Sequence, residues 1–334
     1  MARTILTGIK PTGTGDLHLG NYVGAIQPSI KLSREKDVIG YFFIANYHSL
    51  TSLFSPKEHR LCVRRAAASW LACGLDGEKV IFYLQSDIPE LLELNWILSC
   101  VTPKGLMNRA HSYKAKQDQN QQSGQKELDD GVNMGLYGYP VLMAADILLF
   151  SANEVPVGGD QIQHLEMTRD IAQKFNRIYK TDLLCLPKTL GRKEIIIPGL
   201  DGRKMSKSYN NTIPLFCDPK ALRKLVMKIK TDSLPPEEPK NPENSLIFEI
   251  YTHFAEQEEI TSLRKQYSEG IGWGEAKEIL YEKLNDFLKD KRDIYHYYME
   301  ENSPLDKILK EGKEKARAVA QSFMKKVRSV IGLS

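Results

Sequence analysis

Cysteine is scarce in this sequence, and no two cysteines lie close together. The 334 residues include five cysteines, an odd number, and none of them forms a Cys-x-x-Cys pair. Disulfide frameworks need an even set of cysteines, and most zinc sites need closely spaced pairs. The sequence therefore predicts reduced thiols, a cytoplasmic location and no metal held by the protein itself.

Long apolar runs are also missing. The longest one, near residues 141–150, is interrupted by Asp146 and is too short to cross a bilayer, which takes about 20 residues. No apolar segment of the kind found in secretion signals is visible at the N-terminus. We therefore expect no membrane partner and no secretion signal.

Neither sign of charge dominates the chain. The sequence has 46 Lys and Arg against 42 Asp and Glu, a net charge of +4. Residues 301–334 hold eight basic and four acidic side chains, so this segment carries the whole excess. A basic segment suits a polyanionic partner, although a solvated helix with lysines on its outer face would have the same composition.

Apolar runs and turn residues predict an α/β fold. The first apolar run, at residues 3–9, is followed by a loop rich in glycine and proline. A helix is predicted after this loop, with Asp16 as its N-cap and an interruption at Pro28. We predict strands at 3–9, 38–45, 80–84 and 195–197, and helices at 56–73, 161–175 and 222–229. Strand–helix–strand units form parallel Rossmann-type sheets, whose ligands lie beyond the carboxyl ends of the strands.

Three further segments complete the outline. Residues 111–131 are polar and rich in glutamine, which predicts a mobile surface loop. Residues 234–245 contain four prolines and are predicted to form a rigid linker. Beyond this linker, residues 246–332 are predicted to be helical, and the length of the chain favours two domains.

The first candidate site lies where the first strand meets the following helix. A helix N-terminus offers free N–H groups and partial positive charge to a phosphate. In His18-Leu19-Gly20-Asn21, the His18 and Asn21 side chains can donate to phosphate oxygens, and Gly20 lets an adenine ring approach the backbone. Simple capping of the helix by His18 is the plainer alternative.

The second candidate site is the stretch Lys204-Met205-Ser206-Lys207-Ser208, which follows a run of turn-forming residues. A mobile loop with two ammonium groups and several hydrogen-bond donors suits a departing polyphosphate. By itself such a loop is more often merely solvated. The functional interpretation therefore depends on its occurring together with the first site.

Asp146 lies in a run that should be buried, where a carboxylate without a donor is costly. Its donor is either a neighbouring basic or amide side chain or the N–H of a ligand. An indole offers a single N–H and no acceptor. An apolar pocket with one carboxylate therefore suits tryptophan.

The stretch Gly158-Gly159-Asp160-Gln161 opens a predicted helix. The glycines allow close approach of a nucleotide, Asp160 can accept from ribose hydroxyls, and Gln161 can contact the ammonium or carboxylate of an amino acid. An N-cap followed by an ordinary helix is the plain alternative. His164 and Glu166 lack the spacing of helical zinc ligands, so we assign no metal to them.

Five blocks of the sequence together resemble bacterial tryptophanyl-tRNA synthetases, which are class I aminoacyl-tRNA synthetases. The blocks follow the family's order, and two of them match its HIGH and KMSKS motifs. They are Gly8-Ile9-Lys10-Pro11-Thr12-Gly13, His18-Leu19-Gly20-Asn21-Tyr22, Met143-Ala144-Ala145-Asp146-Ile147-Leu148, Val155-Pro156-Val157-Gly158-Gly159-Asp160-Gln161 and Lys204-Met205-Ser206-Lys207-Ser208.

The resemblance implies a homodimer that activates L-tryptophan with ATP and Mg²⁺ and then charges tRNA(Trp). It implies a Rossmann-fold catalytic domain at 1–212, with a connective insertion at about 88–145, and a helical anticodon-binding domain at 213–334. The final helix is expected to pack back on the catalytic domain. The basic segments 223–230 and 301–334 are expected to contact the tRNA backbone, with Lys325, Lys326 and Arg328 as candidates.

The resemblance also implies roles for individual residues. The expected catalytic residues are His18, Asn21, Lys116, Lys204 and Lys207. The expected ATP contacts are Lys10, Pro11, Thr12, Gly13, His18, Gly20, Asn21, Gly158, Asp160, Ile197, Lys204, Met205, Ser206, Lys207 and Ser208. The expected tryptophan contacts are Leu6, Gly8, His48, Tyr139, Met143, Asp146, Val155, Val157 and Gln161.

The sequence departs from the family at two points. Lys10 stands where relatives often have glutamine, which changes the charge beside the amino-acid carboxylate and the ATP phosphates. The loop between Gly13 and His18 is longer than in the best-known relatives. Two alternatives stay open: the sister enzyme for tyrosine, against which Asp146 argues, and a synthetase-like protein that binds tRNA or tryptophan without catalysis.

Overall fold

The structure is a computed structural model, and it describes residues 3–11, 16–190 and 195–333. The side chain of Asp160 lies outside the described part. Among the predicted ATP contacts, Thr12, Gly13 and the Asp160 side chain therefore lie outside the described residues.

Within the described residues, five parallel strands form one sheet in the order β3-β2-β1-β4-β5. The strands are β1 (Arg3–Ile9), β2 (Val38–Ile44), β3 (Ile81–Leu84), β4 (Glu154–Val155) and β5 (Lys188–Thr189). In the register of the sheet, Ile5 lies opposite Gly40 on one side and Glu154 on the other. The predicted Rossmann-type parallel sheet is confirmed.

Alternate residues of the strands pack into two separate apolar cores. Ile5, Phe42 and Phe82 belong to one core, whereas Leu6 and Tyr83 belong to the other. Both faces of the sheet are therefore covered, as the nearly continuous apolar character of the strands requires.

Helices supply the rest of both cores. They are α1 (Leu19–Asn21), α2 (Gln27–Ser33), α3 (Asn46–Ser49), α4 (Pro56–Ala72), α5 (Glu90–Val101), α6 (Lys104–Met107), α7 (His111–Gln122), α8 (Met134–Leu149), α9 (Ile162–Tyr179), α10 (Pro219–Val226), α11 (Leu246–Thr252), α12 (Gln257–Glu269), α13 (Trp273–Met299) and α14 (Leu305–Ile331). Among the described residues, no helix has the length and apolar character needed to cross a bilayer.

The start of the first helix differs from the sequence prediction. His18 is its N-cap, not Asp16, because the backbone N–H of Asn21 donates to His18 Nδ1 at 3.3 Å. Asp16 instead forms an ion pair with Arg65 at 3.3 Å. The interruption expected at Pro28 lies just before it, as a π-helical turn over Tyr22–Ile26. Pro28 itself is the second residue of α2, and its ring nitrogen has no N–H to donate back into the π-helical turn.

The predicted loop at 111–131 is wrong, because α7 occupies more than half of this segment. Asn120 Nδ2 donates to the carbonyl oxygens of Leu128 at 2.8 Å and Asp130 at 2.7 Å. The Tyr113 hydroxyl donates to Asp129 at 2.8 Å. These polar anchors fold the chain that follows α7 back onto the helix, and an apolar pattern gives no sign of them.

The strand predicted at 195–197 is also wrong. These residues form no strand, and beside them Pro198 makes only an isolated bridge with Lys204. The Ile197 carbonyl accepts from the backbone N–H of Met205 at 3.0 Å. This short apolar segment pairs with the lysine-rich loop instead of with the sheet.

The C-terminal part is helical, as predicted, and it shares a core with the first helices. The Tyr22 ring lies 5.3 Å from the ring of Phe287 and 6.3 Å from that of Phe254. Within the proline-rich segment, the Lys240 ammonium donates to the carbonyl oxygens of Pro235 at 2.7 Å and Glu238 at 3.0 Å. The segment therefore closes on a buried lysine.

The last helix, α14, returns to the sheet and lies against its edge strand β3. At Gly312 an added Cβ atom would stand 1.7 Å from the backbone oxygen of Phe82. Two ion pairs hold α14 on α5, Arg317 with Glu90 at 3.1 Å and Arg328 with Glu93 at 2.5 Å. The helix thereby covers an edge that would otherwise expose unpaired backbone groups.

Candidate active site

The carboxyl ends of β1 and β4 define the place where a ligand is expected. From β1 the chain builds β2 and β3 on one side of the sheet, and it later adds β4 and β5 on the other side. Ligands of parallel sheets bind at such a reversal of strand order. β1 leads toward His18, and β4 leads toward Gly158. Both predicted nucleotide signatures therefore follow the two strands at the reversal.

His18 is held by its own helix. Its Nδ1 accepts from the backbone N–H of Asn21, and its own backbone N–H donates to Asn21 Oδ1 at 3.1 Å. Capping, the plainer of the two predicted roles, is therefore real. Because Nδ1 accepts, the neutral ring carries its proton on Nε2, which remains a donor.

The electrostatic setting keeps the His18 ring neutral. Its side chain is only 8% exposed. Burial, and then the positive charge of Lys207, lowers the pKa of His18 to about 4. A neutral imidazole that donates through Nε2 can hydrogen-bond a phosphate oxygen without first losing or gaining a proton.

The lysine-rich loop closes over the same place. A cavity of about 390 Å³ is lined by residues of both signatures and by the segment at 195–197. Met205 is buried, and its sulfur lies 3.4 Å from the backbone nitrogen of Gly20. The lining residues are His18, Gly20, Asn21, Ile195, Ile196, Ile197, Lys204, Met205, Ser206, Ser208 and Tyr209.

Lys207 lies beside this cavity and acts on it through its charge. Its ammonium is near enough to His18 to lower the pKa of that ring. Partial burial lowers the pKa of Lys207 itself, and the nearby Asp16 carboxylate opposes this effect. The site therefore concentrates positive charge and hydrogen-bond donors, as a polyphosphate requires.

A buried asparagine that the sequence analysis missed holds the base of the loop. Asn211 Oδ1 accepts from the backbone N–H of Ser206 at 2.8 Å, and its Nδ2 donates to Asp201 at 2.7 Å. The Asn211 amide, with help from Arg203, lowers the pKa of Asp201 to about 2. A Cβ atom on Gly199 would stand 2.2 Å from Asn211 Nδ2, so only glycine fits there. The signal available in the sequence was the position of Asn211, three residues after the lysine-rich loop that ends at Ser208.

Asp146 belongs to a second group of polar residues. It is 2% exposed, and burial raises the pKa of its carboxyl, while hydrogen bonds from His48 and Gln85 act the other way. His48 Nε2 lies 2.9 Å from Oδ2, and Gln85 Nε2 donates to Oδ1 at 2.9 Å. A neighbouring basic group and an amide thus serve as donors, as one of the two predicted alternatives required.

Gln85 was not identified from the sequence. It follows β3 directly, so its position at the carboxyl end of a strand was the available signal. Its Oε1 accepts from the backbone N–H of Tyr47 at 2.9 Å. One amide therefore joins α3, which carries His48, to the Asp146 carboxylate on α8.

Of the other predicted tryptophan contacts, Tyr139 lies beside this group and several more belong to the apolar core that contains α8. Tyr139 presents its ring to that of His48, with centroids 6.0 Å apart. A Cβ atom on Gly8 would stand 2.4 Å from the Phe43 ring, so the space beside Gly8 is already filled by protein. The apolar residues of this set pack in the core that contains α8, namely Leu6, Met143, Val155 and Val157.

Lys10 connects the end of β1 to the His48 segment. Its Nζ donates to Thr51 Oγ1 at 2.9 Å, and that hydroxyl donates to the His48 carbonyl at 2.9 Å. Lys116, by contrast, is not brought to the cavity. Its ammonium lies 3.5 Å from Gln119 Oε1, and its side chain lies beside Gly131.

The arrangement offers a cavity suited to a nucleotide polyphosphate and, elsewhere in the same fold, a buried carboxylate suited to a largely apolar ligand. The cavity at His18 supplies cationic and neutral donors, and the group at Asp146 supplies one buried carboxylate within an apolar core. Together with the parallel sheet, these features define an α/β enzyme that activates a small molecule with a nucleotide.

Comparison with known proteins identifies the family. The model of class I tRNA synthetases for tryptophan and tyrosine matches residues 2–289. A tryptophan–tRNA ligase of Bordetella parapertussis is 52% identical to this chain, and the match covers 100% of this chain and 74% of that relative. One of Neisseria meningitidis is 48% identical, covering 99% of this chain and 98% of its own.

A solved structure agrees with these relatives. Tryptophanyl-tRNA synthetase of Campylobacter jejuni, complexed with ADP and tryptophan, superposes with a TM-score of 0.90 at 43% identity, covering 99% of this chain and 100% of that one. The chain therefore belongs to the class I tRNA synthetases for tryptophan and tyrosine. The family predicted from the sequence is confirmed.

Proposed function

We propose that this enzyme joins L-tryptophan to tRNA(Trp) in two steps. First, a carboxylate oxygen of tryptophan attacks the α-phosphate of ATP, the bond between the α- and β-phosphates breaks, and tryptophanyl-adenylate and pyrophosphate form. Then a terminal ribose hydroxyl of the tRNA attacks the acyl carbon, and AMP leaves. Neither step needs a nucleophile from the protein.

The observation that carries this proposal is that the two predicted signatures line one cavity. His18 and Asn21 donate from one wall, and Lys204 belongs to the other. Charge moves onto the pyrophosphate as it leaves, and donors fixed in place lower the energy of that transition state. Lys207 adds positive charge beside the cavity.

The choice of tryptophan over tyrosine rests on the relatives and on Asp146. Relatives that share about half of their residues with this chain are tryptophan–tRNA ligases, which confirms the predicted activity over the tyrosine alternative. A carboxylate can accept about four hydrogen bonds. Gln85 and His48 occupy part of this capacity, which leaves room for an indole N–H.

Mg²⁺ is proposed to enter with ATP. Among the described residues, no three or more His, Cys, Asp and Glu side chains stand together as a metal site. The cavity offers serine hydroxyls and no carboxylate among its lining residues. When bound, the ion would share the charge of the phosphates, whose oxygens are the ligands that Mg²⁺ prefers.

The partner surfaces are proposals as well. We propose that the helical part at residues 213–334 recognises the anticodon. We also propose that residues from about 88 to 145 form the connective insertion of the catalytic domain. Leu50, Phe54 and Met134 are 48%, 76% and 79% exposed, and Asn133 joins their two segments through the Thr51 carbonyl at 3.2 Å. We propose that this apolar patch faces the second copy of a homodimer.

The five free thiols support a cytoplasmic site of action.

Exchange of labelled pyrophosphate into ATP tests the proposed function. Exchange should depend on tryptophan and should not occur with tyrosine. Asp146→Asn should reduce the tryptophan-dependent rate by at least about tenfold, because a charged acceptor buried beside the ligand is lost. Asp118→Asn, on the exposed face of α7, is the matched control and should exchange like the wild type.

Each outcome has a distinct meaning. Exchange with tyrosine alone would overturn the specificity but keep the chemistry. A folded wild-type protein that exchanges with neither amino acid would be the non-catalytic alternative. Full activity of Asp146→Asn would remove the indole assignment while leaving the reaction in place.

A further inference from the structure

The cavity at His18 has an apolar border that the sequence analysis assigned to no ligand. Ile195, Ile196 and Tyr209 line this cavity, and they are 41%, 47% and 49% exposed. Large apolar side chains that stay exposed beside a group of hydrogen-bond donors indicate a ligand with an apolar part. A polyphosphate alone would leave this border unused.

The two isoleucines belong to a segment that both signatures hold in place. A Cβ atom on Gly24 would stand 3.2 Å from the backbone oxygen of Ile195, so the segment lies against the π-helical turn that follows His18. At its other end, the Ile197 carbonyl accepts from the backbone N–H of Met205 at 3.0 Å. The apolar border is therefore a fixed part of the cavity.

Tyr209 is held at the cavity by Arg203. The guanidinium carbon of Arg203 lies 4.4 Å from the centre of the Tyr209 ring. Arg203 is itself fixed, because its Nε donates to Asp201 at 2.7 Å, and Asp201 accepts from Asn211 at 2.7 Å. Arg203 is not among the described residues that line the cavity. The part of the ring that faces the cavity is therefore not the part that the guanidinium covers.

We propose that the adenine ring of ATP stacks on Tyr209, with Ile195 and Ile196 as apolar contacts beside it. This proposal rests on the proposed function, because it needs ATP as a substrate. The phosphates and the base belong to one molecule, and the donors of His18 and Lys204 line the same cavity of about 390 Å³. A flat base stacks well on an aromatic ring, and the guanidinium behind the ring holds this platform in place.

The KM for ATP in pyrophosphate exchange tests this assignment. Tyr209→Ala should raise this KM about tenfold, as expected for the loss of one stack between a base and an aromatic ring. Tyr209→Phe should behave like the wild type, because stacking needs the ring and not the hydroxyl. Tyr297→Ala is the matched control, since Tyr297 on α13 is 52% exposed, and it should leave the KM unchanged.

Two fragments of ATP separate stacking from a displacement of the lysine-rich loop. Tyr209 shares a short 3₁₀ helix with Lys207, so a substitution that displaced this lysine would weaken binding of the phosphates. Adenosine carries the base without phosphates, and inorganic tripolyphosphate carries phosphates without a base. In Tyr209→Ala, inhibition of exchange by adenosine should weaken about tenfold. Inhibition by tripolyphosphate with Mg²⁺ should not change.

A second variant tests the support behind the ring. Arg203→Gln should raise the KM for ATP about threefold, as expected for the loss of an exposed cation–π contact. In a Tyr209→Ala background the same substitution should have no further effect. Full additivity of the two substitutions would show that Arg203 does not act through the ring and would contradict the platform.

An unchanged KM for ATP in Tyr209→Ala would overturn the proposal, and so would equal weakening of both fragments. A rise in the KM for tRNA without a rise in the KM for ATP would assign the ring to the tRNA instead. A loss in Tyr209→Phe as large as in Tyr209→Ala would contradict stacking. These outcomes are read in variants of an active wild type. Absence of tryptophan-dependent exchange in the wild type would instead contradict the proposed function.

Discussion

The imidazole of His18 caps a helix and at the same time lines the cavity that it shares with the lysine-rich loop. One ring nitrogen serves each role, so the capping bond also fixes which nitrogen can donate to a phosphate. Burial and Lys207 keep the ring neutral. His18 therefore caps its helix through one ring nitrogen, and the same bond leaves the other nitrogen as the donor available to the cavity.

This setting predicts a pH-dependent contribution to stability. The pKa of His18 falls from 6.5 to about 4 on folding, so the unfolded chain binds the proton more readily between these values. The stability contributed by the neutral ring is complete above the upper value and is lost as the pH falls toward the lower one. Between about pH 7.5 and about pH 5 the loss should reach about 2 kcal/mol.

Urea unfolding of the wild type and of His18→Asn at the two pH values checks this prediction. Asparagine keeps an N-cap oxygen but does not titrate. The variant should therefore lose less stability than the wild type on acidification. Parallel losses in the two proteins would show that His18 does not carry the effect.

At the scale of elements, α14 packs directly against the backbone of β3. Gly312 faces the Phe82 backbone, and the ion pairs of Arg317 and Arg328 lie along the same helix. In an exposed helix, replacing glycine by alanine is stabilising. At Gly312 the added carbon has no space, so packing should outweigh helix propensity.

Gly312→Ala should therefore lower the free energy of unfolding by about 1–3 kcal/mol. Gly274→Ala is the matched control, because Gly274 also lies in a long helix, α13, and an added Cβ meets no atom within 4 Å. The control should be neutral or stabilising, by at most about 1 kcal/mol. Denaturant midpoints of both variants decide the matter, and equal shifts would refute the close contact.

At the scale of the whole molecule, the structure changes how the basic C-terminal segment is interpreted. Arg328 is bound to Glu93, Arg317 to Glu90, and Lys313 lies 3.5 Å from Asp87. These ion pairs attach α14 to α5 and to the residues just before α5. Arg328 is therefore not a clean probe for tRNA, whereas Lys325 and Lys326 are exposed.

The double variant Lys325→Glu/Lys326→Glu should raise the KM for tRNA. In a plot of log affinity for tRNA against log salt concentration, the slope should become shallower by about one unit for each phosphate contact that is lost. Pyrophosphate exchange, which needs no tRNA, should not change. Lys36→Glu is the control, because Lys36 is exposed in the turn before β2, at the amino end of that strand, whereas the site lies beyond the carboxyl ends of the strands. An equal effect of Lys36→Glu on aminoacylation would indicate a change in overall charge and not a tRNA contact.

The sequence by itself determined what depends on neighbouring residues. Apolar runs placed β1 at its observed bounds and β2 and β3 to within a residue, because a buried strand is a local pattern. Turn residues marked the two signature loops, and their family resemblance indicated the reaction before any geometry was known.

Only the tertiary structure decided which distant side chains meet. Gln85 reaches Asp146 across 61 residues, and Arg317 reaches Glu90 across 227. The helix at 111–122 depends on polar anchors that leave no apolar period. Hydrogen bonds of this kind require a particular distance and direction between two chain segments, and one-dimensional patterning carries neither, so the partners of Asp146, Tyr139 and α14 became visible only in the folded molecule.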